Sequence, residues 1–132
     1  MATKHIYLSD LHFDHKVWTR TLTFFKEELE LYNGYLAEVA SRWTDKEVKA
    51  ELEHFQNQFH IQNNHLDTLI HEIKVHEEAL VKYAKEHETA IDHVYFDDHS
   101  KHHEATHDKV DTFKKIYDEL KVEFKKFLSK YL

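Results

Sequence analysis

Hydrophobic side chains recur at alternating steps of three and four residues over three long stretches of this chain. A seam that repeats every seven residues is typical of α-helices that pack side by side along their length. The spacing therefore predicts an all-α fold built from long, coiled-coil-like helices. The three predicted helices cover about residues 9–43, 45–88 and 90–131.

The first connection between these helices is well defined by the sequence. Thr44 is followed three residues later by Glu47, and this spacing is typical of a capping box at a helix start. A short connection makes two consecutive helices antiparallel neighbours. The prediction is therefore an antiparallel up-down-up three-helix bundle that forms a single domain over residues 1–132.

The second connection has two alternatives. A capping box that begins at Thr89 places the turn near Glu88, whereas the pair Asp97 and Asp98 places it near Asp97. We prefer Glu88, because helices 2 and 3 then have nearly equal lengths and neither leaves a long apolar stripe without a partner. This choice also decides which residues of helix 3 lie level with those of helix 2.

Composition agrees with short connections and limits the possible partners. The chain has one glycine, no proline and no cysteine, which disfavours sheets and excludes disulfides and thiol chemistry. A net charge of -7 disfavours nucleic acid as a partner. The mean hydropathy of -0.74 and the lack of a long apolar run exclude a membrane span. Since residues 1–7 lack the apolar core of a signal peptide, we expect a cytoplasmic protein.

Two residues depart from the regular helical pattern. Gln62 occupies a seam position near the middle of helix 2, where a buried amide is expected to fix the register of the helices; the alternative is a contact to a ligand or partner. Gly34 lies inside helix 1, where glycine costs about 1 kcal/mol relative to alanine. We expect Gly34 to mark a close approach or a slight bend.

Histidine is the strongest chemical signal, with 14 residues in 132. Antiparallel pairing places His15 level with His76, and a turn near Glu88 places His76 level with His102 and His103. Imidazoles and carboxylates on facing helices form the metal sites of helical bundles, and neutral imidazole binds zinc, copper and iron. The candidate metal ligands are His12, His15, Glu72, His76, His99 and His103.

Two resemblances extend this interpretation. The segments 53–62 (EHFQNQFHIQ), 90–99 (AIDHVYFDDH) and 119–132 (ELKVEFKKFLSKYL) resemble an uncharacterised family of small bacterial all-helical proteins, which implies the fold and no activity. Histidines on several helices, with an acidic residue downstream, also resemble hemerythrin-like di-iron bundles, although helix 2 lacks the His-x-x-x-Glu step of that family. The residues that carry this analogy are His12, His15, His76, His99, His103, His107 and Asp111.

Three functional hypotheses follow from these observations. The sequence offers no nucleophile with a base and no phosphate-binding glycine loop, so we expect a non-enzymatic helical module that forms a homodimer or binds another protein. The first alternative is a bundle that binds zinc, copper or iron through its histidines. The second is a pH-responsive bundle, because an imidazole buried in the neutral form opposes folding once it is protonated.

Overall fold

The computed structural model describes residues 8–86 and 97–132, with side chains over 8–86 and 101–132. These residues form three α-helices and no β-strand, which confirms the predicted all-α three-helix fold. The helices are α1 (Leu8–Arg42), α2 (Lys46–Glu86) and α3 (Asp97–Tyr131). The connection between α2 and α3 lies outside the described residues, so the choice between Glu88 and Asp97 stays a prediction, as does the start of helix 3 at residue 90.

The connection between α1 and α2 is as short as the sequence predicts, but its cap lies one residue later. The carbonyl of Asp45 accepts a hydrogen bond from the Lys49 amide at 3.0 Å, so Asp45 is the N-cap of α2 rather than Thr44. The amide of Trp43 donates to the carbonyl of Val39 at 3.1 Å and completes the end of α1. The chain therefore reverses direction within three residues, and α1 and α2 pack most closely of the three helix pairs.

Contacts at both ends show that α1 and α3 run parallel. At one end the Trp43 indole N–H donates to the carbonyl of Tyr131 at 2.8 Å, and at the other His103 Nε2 lies 3.0 Å from a carboxylate oxygen of Asp14. Since α2 reverses direction after α1, these contacts give the predicted up-down-up order. The bundle is long and thin, because a helix with the 41 residues of α2 has a length of roughly 60 Å.

One aromatic side chain from each helix meets at a single level of the bundle, towards the end that carries Trp43. The rings of Phe59 and Phe124 lie 4.8 Å apart, and Tyr32 lies 5.1 Å from Phe124 and 5.9 Å from Phe59. These separations lie in the range of favourable aromatic pairs. The layer fixes the register of all three helices, because large rings fit only where the facing helices leave space for them.

A carboxylate on α1 joins the first helix to the third. Glu28 accepts hydrogen bonds from the hydroxyl of Tyr117 at 3.0 Å and from the hydroxyl of Tyr32 at 3.3 Å. The Lys121 ammonium lies 3.2 Å from both oxygens of the same carboxylate. Burial and the nearby Glu28 charge raise the pKa of Tyr32 to about 12 and that of Tyr117 further in the same direction.

The structure agrees with the prediction of a buried Gln62 but not with the prediction of a close approach at Gly34. Gln62 is buried in the seam as expected, and its Oε1 has no hydrogen-bond partner among the described residues. A buried polar group without a partner costs about 1–3 kcal/mol, and the role of this amide in fixing the register stays a prediction. The expected close approach at Gly34 is wrong within the chain, because a Cβ at this position meets nothing within 4 Å.

The link from Glu28 to α3 predicts a specific loss of stability. Replacing Glu28 with alanine removes the closer acceptor of the buried Tyr117 hydroxyl and leaves only the Phe25 carbonyl at 3.5 Å, so we expect the free energy of unfolding to fall. The loss in Glu28→Ala should be about 1–3 kcal/mol. Urea denaturation followed by circular dichroism measures this loss.

The control for this prediction is Glu53→Ala, at an exposed position of α2. A surface substitution of this kind should change the free energy of unfolding by at most about 0.5 kcal/mol. Equal effects of both substitutions would contradict the structural role of Glu28.

Candidate functional site

A layer of histidines divides the hydrophobic core of the bundle. The main cluster of buried apolar side chains extends from Trp18 to the end of the bundle that carries Trp43. A smaller cluster beyond the histidines consists of Leu8, Leu11 and Leu80. The histidine layer is defined here by four residues that line one cavity between these two clusters, His15, His76, His102 and His103.

His15 is the central residue of this layer. It occupies a seam position of α1 and is only 5% exposed. Its ring lies 5.4 Å from that of His103 and 6.5 Å from that of His76, so α1 brings it against both other helices. Trp18, one turn further along α1, packs on His15 with ring centroids 5.8 Å apart and belongs to the main hydrophobic cluster.

A carboxylate from α2 faces this central imidazole. Glu77 Oε2 lies 3.3 Å from His15 Nδ1, and the same carboxylate contacts His12 Nδ1 at 2.5 Å. His12 is half exposed, whereas Glu77 is mostly covered. Glu77 therefore connects the buried imidazole of His15 to a histidine at the surface.

His76 on α2 and His103 on α3 each have a different polar partner. The Thr106 hydroxyl donates to the carbonyl of His102 at 2.8 Å and lies 3.2 Å from His76 Nδ1. Because that hydroxyl proton is already used, the hydroxyl accepts a hydrogen bond from His76 Nδ1–H. His103 instead contacts Asp14 and packs at 4.8 Å against the ring of Trp18. His15, His76 and His103 thus each have their own polar partner.

The histidine layer lines a partly open cavity of about 150 Å³. Such a volume is sufficient for a few water molecules or one small ligand. Its walls combine imidazoles from all three helices with apolar side chains from α1 and α2. The lining residues are Leu11, His15, His76, Ala79, Leu80, His102 and His103.

Burial keeps the two inner imidazoles in their neutral form. Desolvation lowers the pKa of His15, and this effect exceeds the opposing attraction of Glu77. Desolvation also lowers the pKa of His76, and the neighbouring His102 and His15 lower it further by like-charge repulsion. At neutral pH the centre of the layer is therefore a pair of uncharged, hydrogen-bonded imidazoles.

The structure brings some of the predicted site residues together and separates others. His15, His76 and His103 lie in the layer, and the predicted level of His76 beside His102 is confirmed by a ring separation of 5.7 Å. His12 contacts the edge of the layer through Glu77. Glu72 instead binds Lys109, with both oxygens 3.2 Å from the ammonium. The side chain of His99 lies outside the described residues.

Sequence reasoning missed the carboxylates that contact the layer. Glu77 and Asp14 each flank a seam position, and such positions face the neighbouring helix in a coiled coil. That signal was present in the sequence, since Glu77 follows His76 and Asp14 precedes His15. It was hidden because the chain has 25 acidic residues and many of them flank the seam.

The described residues give no support to a metal centre. Within the part of the chain that the structure describes, no group of three or more His, Asp or Glu side chains has an arrangement that could hold a metal ion. The zinc, copper or iron hypothesis therefore stays a prediction from the sequence. Among the described helices, none is both long and apolar enough to cross a membrane.

Comparison with protein-family models, with curated proteins and with solved structures gives no match for this chain. The resemblances to a bacterial helical family and to hemerythrin-like bundles stay predictions.

The lowered pKa of His15 predicts a specific pH dependence. The unfolded chain binds a proton at His15 more readily than the folded chain, so lowering the pH below about 6.5 favours unfolding. We expect the melting temperature to fall between about pH 6.5 and 5, and to fall less in His15→Leu, which removes the titrating group. Differential scanning calorimetry over this range measures both profiles.

The matched control is His71→Leu, because His71 is exposed on α2. Its melting profile should follow that of the parent chain. A parent profile that stays flat over this range, or an equal slope in His15→Leu, would contradict the role assigned to the buried imidazole.

Proposed function

We propose that this chain is a non-enzymatic helical module that binds a second protein chain, either another copy of itself or a different partner. The observation that carries the proposal is the set of large apolar side chains on the outside of the bundle. Phe13, Phe24, Leu31 and Val122 are each more than half exposed. Exposed apolar surface that gathers on one face marks interaction sites in folded proteins, because its burial against a partner is favourable.

The shape of the bundle supports the same proposal. The chain has an accessible surface of 9061 Å². A compact protein of its mass is expected to expose only roughly 7400 Å². Three long helices around a narrow core leave much of each helix uncovered. Association with another helical surface buries part of this excess without any rearrangement of the core.

Sedimentation equilibrium over about 1 μM to 1 mM tests the proposal. We expect the apparent mass to rise from that of a 16.0 kDa monomer towards twice that value as concentration increases. Part of the association should persist at high salt, because apolar burial is not screened by ions. A monomeric mass at every concentration, together with no partner after crosslinking in the cells that express the chain, would contradict the module.

A second candidate function, a pH-responsive bundle, is favoured by the buried His15. Charged or titratable groups face this imidazole from all three helices. They are Asp14 on α1, Glu77 and His76 on α2, and His103 on α3. Around His76 the corresponding groups are Glu72 on its own helix, His15 on α1, and His102 and Lys109 on α3. Because several imidazoles share one confined volume, protonation accumulates positive charge there.

The two tryptophans report on the two ends of the bundle separately. Trp18 touches the histidine layer, whereas Trp43 packs on Tyr131 with ring centroids 5.3 Å apart. In Trp43→Phe only Trp18 remains. We expect the fluorescence of Trp18 to change below about pH 6.5, because the neighbouring imidazole of His15 then becomes charged. In Trp18→Phe, the remaining Trp43 should change little. Parallel changes at both ends, or none at Trp18, would contradict a local response.

A further inference from the structure

Exposed apolar side chains gather on one face of α1. Phe13, Val17, Phe24 and Leu31, called here the α1 stripe, follow each other at steps of four, seven and seven residues. At 3.6 residues per turn, these positions fall within about 40° of the helix circumference. Their exposed fractions are 64%, 41%, 54% and 55%, so the stripe lies outside the seam that packs on α2 and α3.

Among the described residues, the other two helices show no comparable face. On α3 the exposed Ile116 and Val122 are six residues apart, which places them about 120° from each other around the helix. On α2, Val81 lies on a different side from Ile61 and Val75 by the same reasoning. A face with heptad spacing on the outside of a helix is what a further helix packs against.

Charges beside the stripe have an order that favours one arrangement of two copies. Lys16 and Arg20 lie beside its N-terminal half, and Glu27 and Glu30 lie on the same flank beside its C-terminal half. Within the described residues none of the four forms an ion pair. The like charges are four and three residues apart, a spacing at which they repel each other on an isolated helix.

We propose that the α1 stripe binds the α1 stripe of a second copy of this chain in an antiparallel orientation, with the two-fold axis at Phe24. This inference rests on the proposed function in its self-association form. The arrangement places Phe24 against Phe24 of the second copy and Val17 against Leu31. It also brings Arg20 beside Glu27 of the second copy and Lys16 beside Glu30, so repulsion within each helix becomes attraction between helices.

The same register accounts for Gly34. Within the chain this glycine lowers the stability of α1 relative to alanine. No contact within the chain requires a glycine here, because a Cβ would meet nothing within 4 Å. In the antiparallel pair, Phe13 of the second copy lies level with Tyr35 and adjacent to Gly34, and Phe13 is the most exposed member of the stripe. A position without a side chain provides space for that ring. An isologous contact of this kind closes on itself and gives a dimer rather than a filament.

Single cysteines test the register directly, because the natural chain has none. In the proposed dimer, Phe24→Cys places its two sulfur atoms on the axis, whereas Val17→Cys separates them by about 21 Å along the helix. We expect mild oxidation to convert most of Phe24→Cys to a covalent dimer and to leave Val17→Cys monomeric. An equimolar mixture of Val17→Cys and Leu31→Cys should form the mixed disulfide.

Val122→Cys is the matched control, because Val122 on α3 is 54% exposed, the same as Phe24. It should remain monomeric under the same oxidation. Efficient crosslinking of Val17→Cys to itself would show a parallel pair and overturn the proposed arrangement. If the chain still dimerises but Phe24→Cys and Val122→Cys crosslink equally, the α1 stripe is not the dimer contact. Self-association itself would then stand.

Charge reversal gives an independent readout in the absence of cysteine. Arg20→Glu and Glu27→Arg should each raise the dimer dissociation constant at least about tenfold, and the double variant should return it to within about threefold of the parent. Both substitutions lie outside the buried seam, so the fold is preserved. Additive weakening in the double variant would overturn the antiparallel pairing. A parent chain that stays monomeric at about 1 mM would overturn both the α1 stripe contact and self-association. Binding of a different protein would then be the remaining form of the proposed function.

Discussion

Packing of three aromatic rings at one level controls the register of the whole bundle. A heptad seam by itself permits neighbouring helices to slide by a turn or by seven residues, because similar side chains meet again after each step. The rings of Tyr32, Phe59 and Phe124 remove this freedom, since they fill the central space only in one alignment. The level of every other pair, including the histidines at the far end, follows from that alignment.

The histidine layer departs from the rule that governs the rest of the core. Most seam positions hold apolar residues, but His15 and His76 place imidazoles where apolar contact would give more stability. Hydrogen bonds to Glu77 and Thr106 reduce the cost of burying these groups. This cluster departs from the apolar pattern of the seam, as does Gln62, and such departures concentrate at functional positions.

The two proposed properties lie on different parts of the molecule and are separable. The apolar face of α1 points away from the core, and its binding depends on side chains that the fold leaves uncovered. The histidine layer lies between the two apolar clusters, and its buried imidazole, His15, contacts groups on the other two helices.

The sequence by itself determined the three helices, their up-down-up order and nearly all of the buried seam, because a seven-residue repeat leaves only one face of a helix able to be buried. It also placed His15 level with His76, whereas the level of His102 depended on which of two turns joins the second and third helices, and the structure shows it beside His76. Only the tertiary structure decided that Glu77 rather than Glu72 contacts the layer and that Glu28 joins α1 to α3. Those partners depend on how far each helix is rotated about its axis and on which carboxylate reaches across, and the repeat does not encode either.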